Sequence, residues 1–424
     1  MDYIIKGANI YKNGKFMVSD MYVKNGTIAG VSPILSPLAD TTVYNFDNAY
    51  LFPGLIDVHV HLREPGFSYK ETVLSGTNAA LHGGFTSVCP MPNLNPVPDC
   101  DETLKLQEEI IKRDAKVNVY PFGSITYGEK GEKLSDMNAM AGRVVGFSDD
   151  GRGVQSAEMM ENAMKKAKSL GKIISAHCED NSLLHGGVIH DGEFAKLSGI
   201  PGICSESEWK PIERDIALAA KTGCKYHVCH ISTKESVALI REAKKNGVDI
   251  TCETAPHYLV FDDGDIENHG RFKMNPPIRS RADKEALIEG VCDGTIDMIA
   301  TDHAPHTVEE KSKGLIGSPF GVVGLETSFA ACYTYLVKTG LISLQKLMAL
   351  MHDNAMKRFG IGNSLEIGDK ADFTVFDLSG EFTVNPEEFL TLGRSTPFEG
   401  KKLCGVCKMT AVSGDIRYGG NFNA

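Results

Sequence analysis

The stretch LIDVHVHL, residues 55–62, is a short apolar run rich in β-branched residues that ends in two histidines spaced i, i+2. Seven further runs of the same texture follow it: TSVCPM (86–91), KVNVYPF (116–122), RVVGFS (143–148), KIISAHC (172–178), KYHVCHI (225–231), DITCETA (249–255) and DMIATDH (297–303). Longer helical patterns separate several of them, at Glu71–His82, Glu102–Asp114, Ala157–Leu170, Glu206–Thr222, Lys234–Asn246 and Arg281–Cys292. Strands alternating with helices predict βα units and a parallel sheet, and eight such strands predict a closed barrel. In a barrel of this kind the chemistry sits where strands end and loops begin.

Outside the barrel the texture changes. Up to Phe52 the chain alternates in runs such as YIIKGANIY and MYVKNGTIAGV, punctuated by the hairpin signals Asn13-Gly14 and Asn25-Gly26. Beyond IGNSLEIGDKAD the same style returns in ADFTVFDL and CKMTAVSGDIRYGG. The expected organisation is residues 1–53 and 360–424 as two parts of one β-rich domain, and 54–359 as an α/β (β/α)8 barrel. A chain of 424 residues with 42% apolar content accommodates a barrel of about 250 residues plus this smaller unit.

The formal charge of −11, spread along the chain, argues against a nucleic-acid or anionic-membrane surface. Eleven cysteines, an odd number set mostly in apolar runs, suit a reducing compartment. The lone CxxC of Cys404 and Cys407 has no second pair and reads as core packing. The opening residues lack an apolar signal core and no stretch approaches about 18 uninterrupted apolar residues, so the expectation is a cytoplasmic protein without a membrane span.

Residues i and i+2 of a strand point to one face, so His59 and His61 can reach a single metal ion. Other strands end in metal-capable residues as well: Asp149-Asp150, His177, His230 and Asp302. Histidines and carboxylates at five strand ends suit zinc. Six ligands exceed the need of one ion, which points to two metals with a bridging carboxylate. Strand parity does not choose between Asp149 and Asp150. It places His227 on the face opposite His230, while His82, His185, His190, His269 and His352 fall in helices or loops and read as structural.

PGLIDVHVHLREPG (53–66), MPNLNP (91–96), KMNPPIR (273–279), ATDHAPH (300–306) and SPFGVVGLET (318–327) resemble the type I dihydroorotases of the amidohydrolase superfamily, and the likeness runs over essentially the whole chain. It implies a (β/α)8 TIM-type barrel with a β-rich domain built from both termini. The activity it implies is that of a zinc-dependent cyclic amide hydrolase, which opens (S)-dihydroorotate to N-carbamoyl-L-aspartate and, in reverse, closes the ring in pyrimidine biosynthesis. Position by position, the resemblance makes His59, His61 and Asp302 ligands of one Zn2+ and His177 and His230 ligands of a second. Asp150 matches the bridging carboxylate, a hydroxide is shared between the ions, and Asp302 shuttles the proton. Hydantoinases, dihydropyrimidinases and some dihydroorotases bridge with a carboxylated lysine, and AGRVVGFSDDG contains none.

The substrate and product carry one and two carboxylates, so binding needs fixed donors. The planar fork of Arg63 matches a carboxylate bidentately, and the resemblance assigns it that task with Asn93 and Asn275. Each asparagine alone would pass as a turn residue. His306, in the loop of Asp302, is implied as a further substrate contact. The loop 318–324 has two glycines around Pro319 and Phe320, a composition that lets backbone amides approach a ring, so Pro319, Phe320 and Gly321 are expected along the pyrimidine edge, although a plain crossover turn has the same look. His257, in TAPHYL, matches the family motif without a derivable role. The competing readings are another cyclic amidase, of allantoinase or hydantoinase type, and a catalytically silent structural partner of aspartate transcarbamoylase. The absent lysine and Arg63 speak against the first, and the complete ligand set against the second. The resemblance also admits a homodimer and an association with aspartate transcarbamoylase.

Overall fold

The structure, a computed structural model, describes residues 2–37 and 41–419. Strands β1 (Tyr3–Lys12), β2 (Lys15–Lys24) and β3 (Thr27–Ser32) form an antiparallel meander. Its turns are Asn13-Gly14 and Asn25-Gly26, where both asparagines have positive φ, 49° and 50°, as do the glycines after them. That conformation matches the twist of a tight hairpin. β4 (Thr42–Asn45) and β5 (Tyr50–Pro53) run parallel to β1.

The chain then leaves the sheet for the barrel. β6 (Leu55–Val60), β7 (Phe85–Pro90), β8 (Asn118–Val119), β9 (Gly123–Ser124), β10 (Gly146–Ser148) and β11 (Ile173–Ala176) follow in order. A short side pair, β12 (Ile189–His190) and β13 (Gly202–Ile203), precedes β14 (Lys225–Val228), β15 (Ile250–Thr254) and β16 (Met298–Ile299). β8 and β9 are two halves of one stave, the first paired with β7 and the second with β10. Among the described residues this gives eight parallel staves. Closure comes from the last stave meeting the first: the His61 amide donates to the His303 carbonyl at 2.8 Å, and the Thr301 hydroxyl donates to Asp57 at 2.6 Å. β6 and β7 are buried along their whole length, as parallel staves covered by helices must be.

The chain returns to the sheet as β17 (Phe373–Thr383), β18 (Lys402–Val412) and β19 (Asp415–Gly419). The order is β19-β18-β17-β5-β1-β2-β3, with β4 also on β1. The molecule is therefore a TIM-type barrel with a β-rich sheet made from both ends of the chain.

Five of the six helices expected from sequence lie within one residue of their predicted limits at each end. Ser156, Thr233 and Ser280 cap three of them, each accepting from the amide three residues on. The first helix begins at Val73 instead of Glu71, because Thr72 is its cap and the Glu71 carboxylate is turned away to Ser75, His303 and the Leu392 amide. Further helical segments at Ser328–Val337 and Leu344–Phe359, each containing a π turn, complete the outer layer without a matching expectation.

Below the strand ends the barrel is filled by Ile56, Val58, Cys89, Met91, Phe122, Cys229, Met298 and Ala300. Sheet and barrel are joined by Phe52, Phe329 and Phe376, with ring centroids 4.0 Å apart for Phe329 and Phe376 and 5.6–5.8 Å for the other pairs. Phe376→Ala is expected to cost about 3–5 kcal/mol of stability, as for other large aromatic truncations, with the metal content of the folded protein unchanged. Denaturant unfolding with elemental analysis checks both.

All eleven cysteines are unpaired. The thiol of Cys404 lies 2.9 Å from Lys338 Nζ, whereas that of Cys407 faces Thr374 and Thr410. The CxxC spacing therefore creates no shared site. Among the described residues no helix is long and apolar enough to cross a membrane.

Candidate metal centre

The first and last staves deliver three of the expected ligands. His59 and His61 leave the end of β6 on one side, and Asp302 follows β16 with Oδ1 3.0 Å from His61 Nε2 and 3.5 Å from His59 Nε2. Asp150, two residues past β10, puts Oδ1 at 3.3 Å from His59 Nε2, 3.4 Å from His230 Nε2 and 3.6 Å from His177 Nδ1. Its Oδ2 lies 3.5 Å from His61 Nε2. One carboxylate thus faces all four imidazoles. Asp149 is turned elsewhere: it accepts from the amides of Ile125 and Thr126, at 2.7 and 3.0 Å, and from the Thr126 hydroxyl.

Ligand atoms of His59, His61 and Asp302 lie within 4.8 Å of one another, as do those of His59, Asp150 and His230. A third such group, His59 with Cys229 and Glu253, uses the other nitrogen of His59, which already donates to Glu253 at 2.7 Å. His177 Nδ1 stands 3.0 Å from His230 Nε2. The chemistry of the donors fits cations. His59 Nε2 and Asp150 Oδ1 are buried, face each other and make no hydrogen bond, an arrangement that costs desolvation unless a positive charge lies between them.

The far sides of the imidazoles fix their orientation. His59 Nδ1 donates to Glu253, and His61 Nδ1 donates to Asn93 Oδ1 at 2.9 Å, which leaves both Nε2 lone pairs for the centre. Burial pushes the Asp150 carboxyl up, but His59 and the other imidazoles outweigh it and hold it well below the usual carboxylate range. Asp302 is lowered in the same way, with the nearby His61, His59 and His230 imidazoles prevailing over burial.

Backbone geometry departs from strand alternation at this rim. Arg63, His230 and Asp302 all have positive φ, 62°, 32° and 47°, a strained choice for residues with side chains. Sequence parity puts His227 and His230 on opposite faces, and the His227 imidazole bonds Thr251 at 2.9 Å and Glu253 at 3.0 Å, whereas that of His230 faces Asp150 at 3.4 Å. Glu253 also accepts from the His230 amide at 3.4 Å.

Beside the carboxylates lies a cavity of about 220 Å³, lined by five of the expected ligands, all but His59, and by Arg63, Asn93, Asn275, His306, Phe320 and Gly321. Arg63 is buried, its Nε donates to the Pro305 carbonyl at 3.3 Å, and no carboxylate among the described residues pairs with it. His306 Nε2 donates to the Phe320 carbonyl at 2.7 Å. Pro319, expected with Phe320 and Gly321, does not line the cavity. Its carbonyl accepts from the buried Lys311 ammonium at 2.9 Å, so it shapes the loop from behind. His257 is buried outside the lining, with Nε2 unbonded, and burial lowers its pKa to about 4. His82, His190, His269 and His352 bond local partners away from the cavity.

Asp57, Glu179 and Glu253 were not anticipated. Asp57 accepts from the His59 and Thr301 amides and so locks the two staves that carry His59, His61 and Asp302. A carboxylate inside an otherwise apolar strand was the available signal for Asp57 and Glu253, and the i, i+2 spacing from His177 was the signal for Glu179.

Residues 49–236 match the family model described as dihydro-orotase-like. The chain is 50% identical over 417 residues to a dihydroorotase of Fusobacterium nucleatum and 48% identical over 418 residues to one of Bacillus caldolyticus, in each case covering 98% of both chains. Among solved structures, an L-hydantoinase (dihydropyrimidinase) from Arthrobacter aurescens aligns with a TM-score of 0.89 at 25% identity, over 99% of this chain and 96% of that one. A dihydropyrimidinase from Brevibacillus agri aligns at 0.87 and 21% identity, over 99% and 95%.

Proposed function

Because this chain belongs to the dihydroorotase family, we propose that the rim cavity is where dihydroorotate is opened to N-carbamoyl-L-aspartate and where that product is closed again. The protein is a hydrolase of cyclic amides. Its ligand set is read as holding two zinc ions, one on His59, His61 and Asp302 and one on His177 and His230, with Asp150 between them. Bound there, zinc supplies an activated water near neutral pH and Lewis acidity toward the ring carbonyl. The remaining chemistry belongs to the side chains. Ionised Asp302 takes a proton from the attacking water and returns it to the leaving ring nitrogen, and in ring closure the proton runs the other way. Asn93, whose carboxamide oxygen is held by His61, offers its N–H donors to the substrate carboxylate. Asn275, His306, Phe320 and Gly321 enclose the ring.

The observation that carries this reading is the unpaired, buried guanidinium of Arg63 on the cavity wall. Asp302 and Asp150 lie near enough to act on this cation but none of the described carboxylates is within ion-pair distance, so burial is costly and a substrate carboxylate lowers that cost. A hydantoin or an unsubstituted dihydropyrimidine has no carboxylate to offer, which disfavours the other ring amidases. The test is turnover by the zinc-loaded protein of dihydroorotate, hydantoin and allantoin side by side. Dihydroorotate alone is expected to react, and turnover of hydantoin with no reaction of dihydroorotate would overturn the assignment.

Arg63→Lys keeps the charge and loses the bidentate fork. It is expected to raise KM for dihydroorotate at least about tenfold, the equivalent of losing one charge-assisted pair, with metal content unchanged. Steady-state kinetics with metal analysis decides this, and a parental KM removes Arg63 from the site.

A further inference from the structure

Glu179 follows His177 by two residues at the end of β11, on the same side of the chain, and its side chain is 11% exposed. One carboxylate oxygen, Oε2, lies 3.5 Å from His177 Nε2, the nitrogen that faces away from Asp150. The other, Oε1, accepts from Asn275 Nδ2 at 2.8 Å. Its backbone carbonyl accepts from Gln155 Nε2 at 2.9 Å, and Gln155 belongs to the loop that carries Asp150. Three pieces of the rim therefore meet at one residue. Glu179 also lines a cavity of about 700 Å³ that shares Gly151, Asn275 and Phe320 with the smaller cavity beside the carboxylates.

The contact decides which way Asn275 faces. A carboxamide oxygen turned toward a carboxylate would repel it, so Asn275 must present its nitrogen to Glu179, which leaves Oδ1 free to accept. Asn93 is held the opposite way, with its oxygen on His61 and its N–H groups left over. The two asparagines that line the cavity thus offer it opposite polarity, a donor from Asn93 and an acceptor from Asn275. Dihydroorotate has one of each to match: a carboxylate that needs donors and ring N–H groups that need acceptors.

We infer that Glu179 is a positioning residue that couples the His177 imidazole to the Asn275 carboxamide, fixing Asn275 as the acceptor for a ring N–H of the substrate. The inference rests on the ring-opening reading above for its substrate half. Its metal half stands on the His177 contact.

The variants are Glu179→Gln, Glu179→Ala and Asn275→Ala, together with the double variant Glu179→Ala/Asn275→Ala. Zinc affinity is measured by chelator competition, KM and kcat by ring opening, and the folded state by thermal melting. A glutamine can keep its oxygen on Asn275 only by turning its NH2 toward the His177 N–H, so donor meets donor. Glu179→Gln is therefore expected to weaken zinc binding about 10–100-fold, the usual effect of losing a group that orients a ligand, while KM moves less than threefold. Glu179→Ala should lose zinc affinity to the same extent and also raise KM about tenfold. In the double variant the two KM effects should not add, because both act through one carboxamide. A well-folded Glu179→Ala protein with parental zinc affinity and parental KM overturns the inference, as does full additivity of the KM effects. Asn275→Ala with a parental KM removes Asn275 from the substrate reading, and the zinc measurements on Glu179→Gln then decide the metal half alone.

Discussion

Replacing Asp302 by asparagine is expected to lower ring opening and ring closure together, by about 10²–10⁴-fold, the range for loss of a positioned acid or base. Asparagine keeps the shape and one oxygen near His61 Nε2, where Asp302 sits at 3.0 Å, but it cannot carry a proton. Metal content is measured in parallel, because the same carboxylate is a proposed ligand. The pH dependence has a definite sign. Burial raises the Asp302 pKa, the nearby His61, His59 and His230 imidazoles lower it by more, and the net value lies below that of an ordinary aspartate. Opening needs the ionised form, so its rate is full above that value and falls as pH drops through it. Closure needs the protonated form and rises in the same direction. The equilibrium follows the same direction: opening creates a carboxylic acid of ordinary pKa near 4, so above that value each pH unit favours the open form about tenfold. An asparagine variant that holds its metals and runs near parental rates would place the proton on another group. His306 is the first to test, although its Nε2 is already engaged by the Phe320 carbonyl.

His177→Ala and His230→Ala should each bring the zinc content from near two per chain toward one and abolish most activity. Both imidazoles present a nitrogen to Asp150 Oδ1, at 3.6 and 3.4 Å, and neither belongs to the His59, His61 and Asp302 group. Elemental analysis of the purified variants separates the outcomes. Unchanged metal content in both, or one tightly held ion in a fully active parent, would contradict the two-metal reading.

Much of this is legible in the sequence, for physical reasons that differ from element to element. The eight apolar runs are visible because a stave buried on both sides tolerates little polarity, and the histidines at their ends stand out against it. The hairpins declare themselves because Asn-Gly is one of the few pairs that accepts positive φ twice. What stayed hidden depends on backbone departures and on contacts between distant segments. Positive φ at Arg63, His230 and Asp302 belongs to turns that no residue spacing announces. Whether Asp149 or Asp150 faces the centre rests on where the Ile125 and Thr126 amides lie, which no spacing within FSDDG reveals. Pro319 reads like its neighbours because a motif marks a loop without saying which of its residues face inward. Glu71 looked like the start of a helix until partners more than 200 residues away claimed its carboxylate.

The pairing of β5 with β17 has a consequence for how the chain is made. Leu51 and Val375 are register partners, so the ribosome must add more than 300 residues between them. At about 5–20 residues per second, β5 waits roughly 15–60 s for its neighbour. Throughout that interval the first strands present an open, apolar edge, the kind of surface on which nascent chains stick to one another. The barrel can close during the wait, since all its staves lie between the two partners. The sheet cannot, and its completion is therefore the step at which crowding, slowed translation or a missing C-terminus would be felt first.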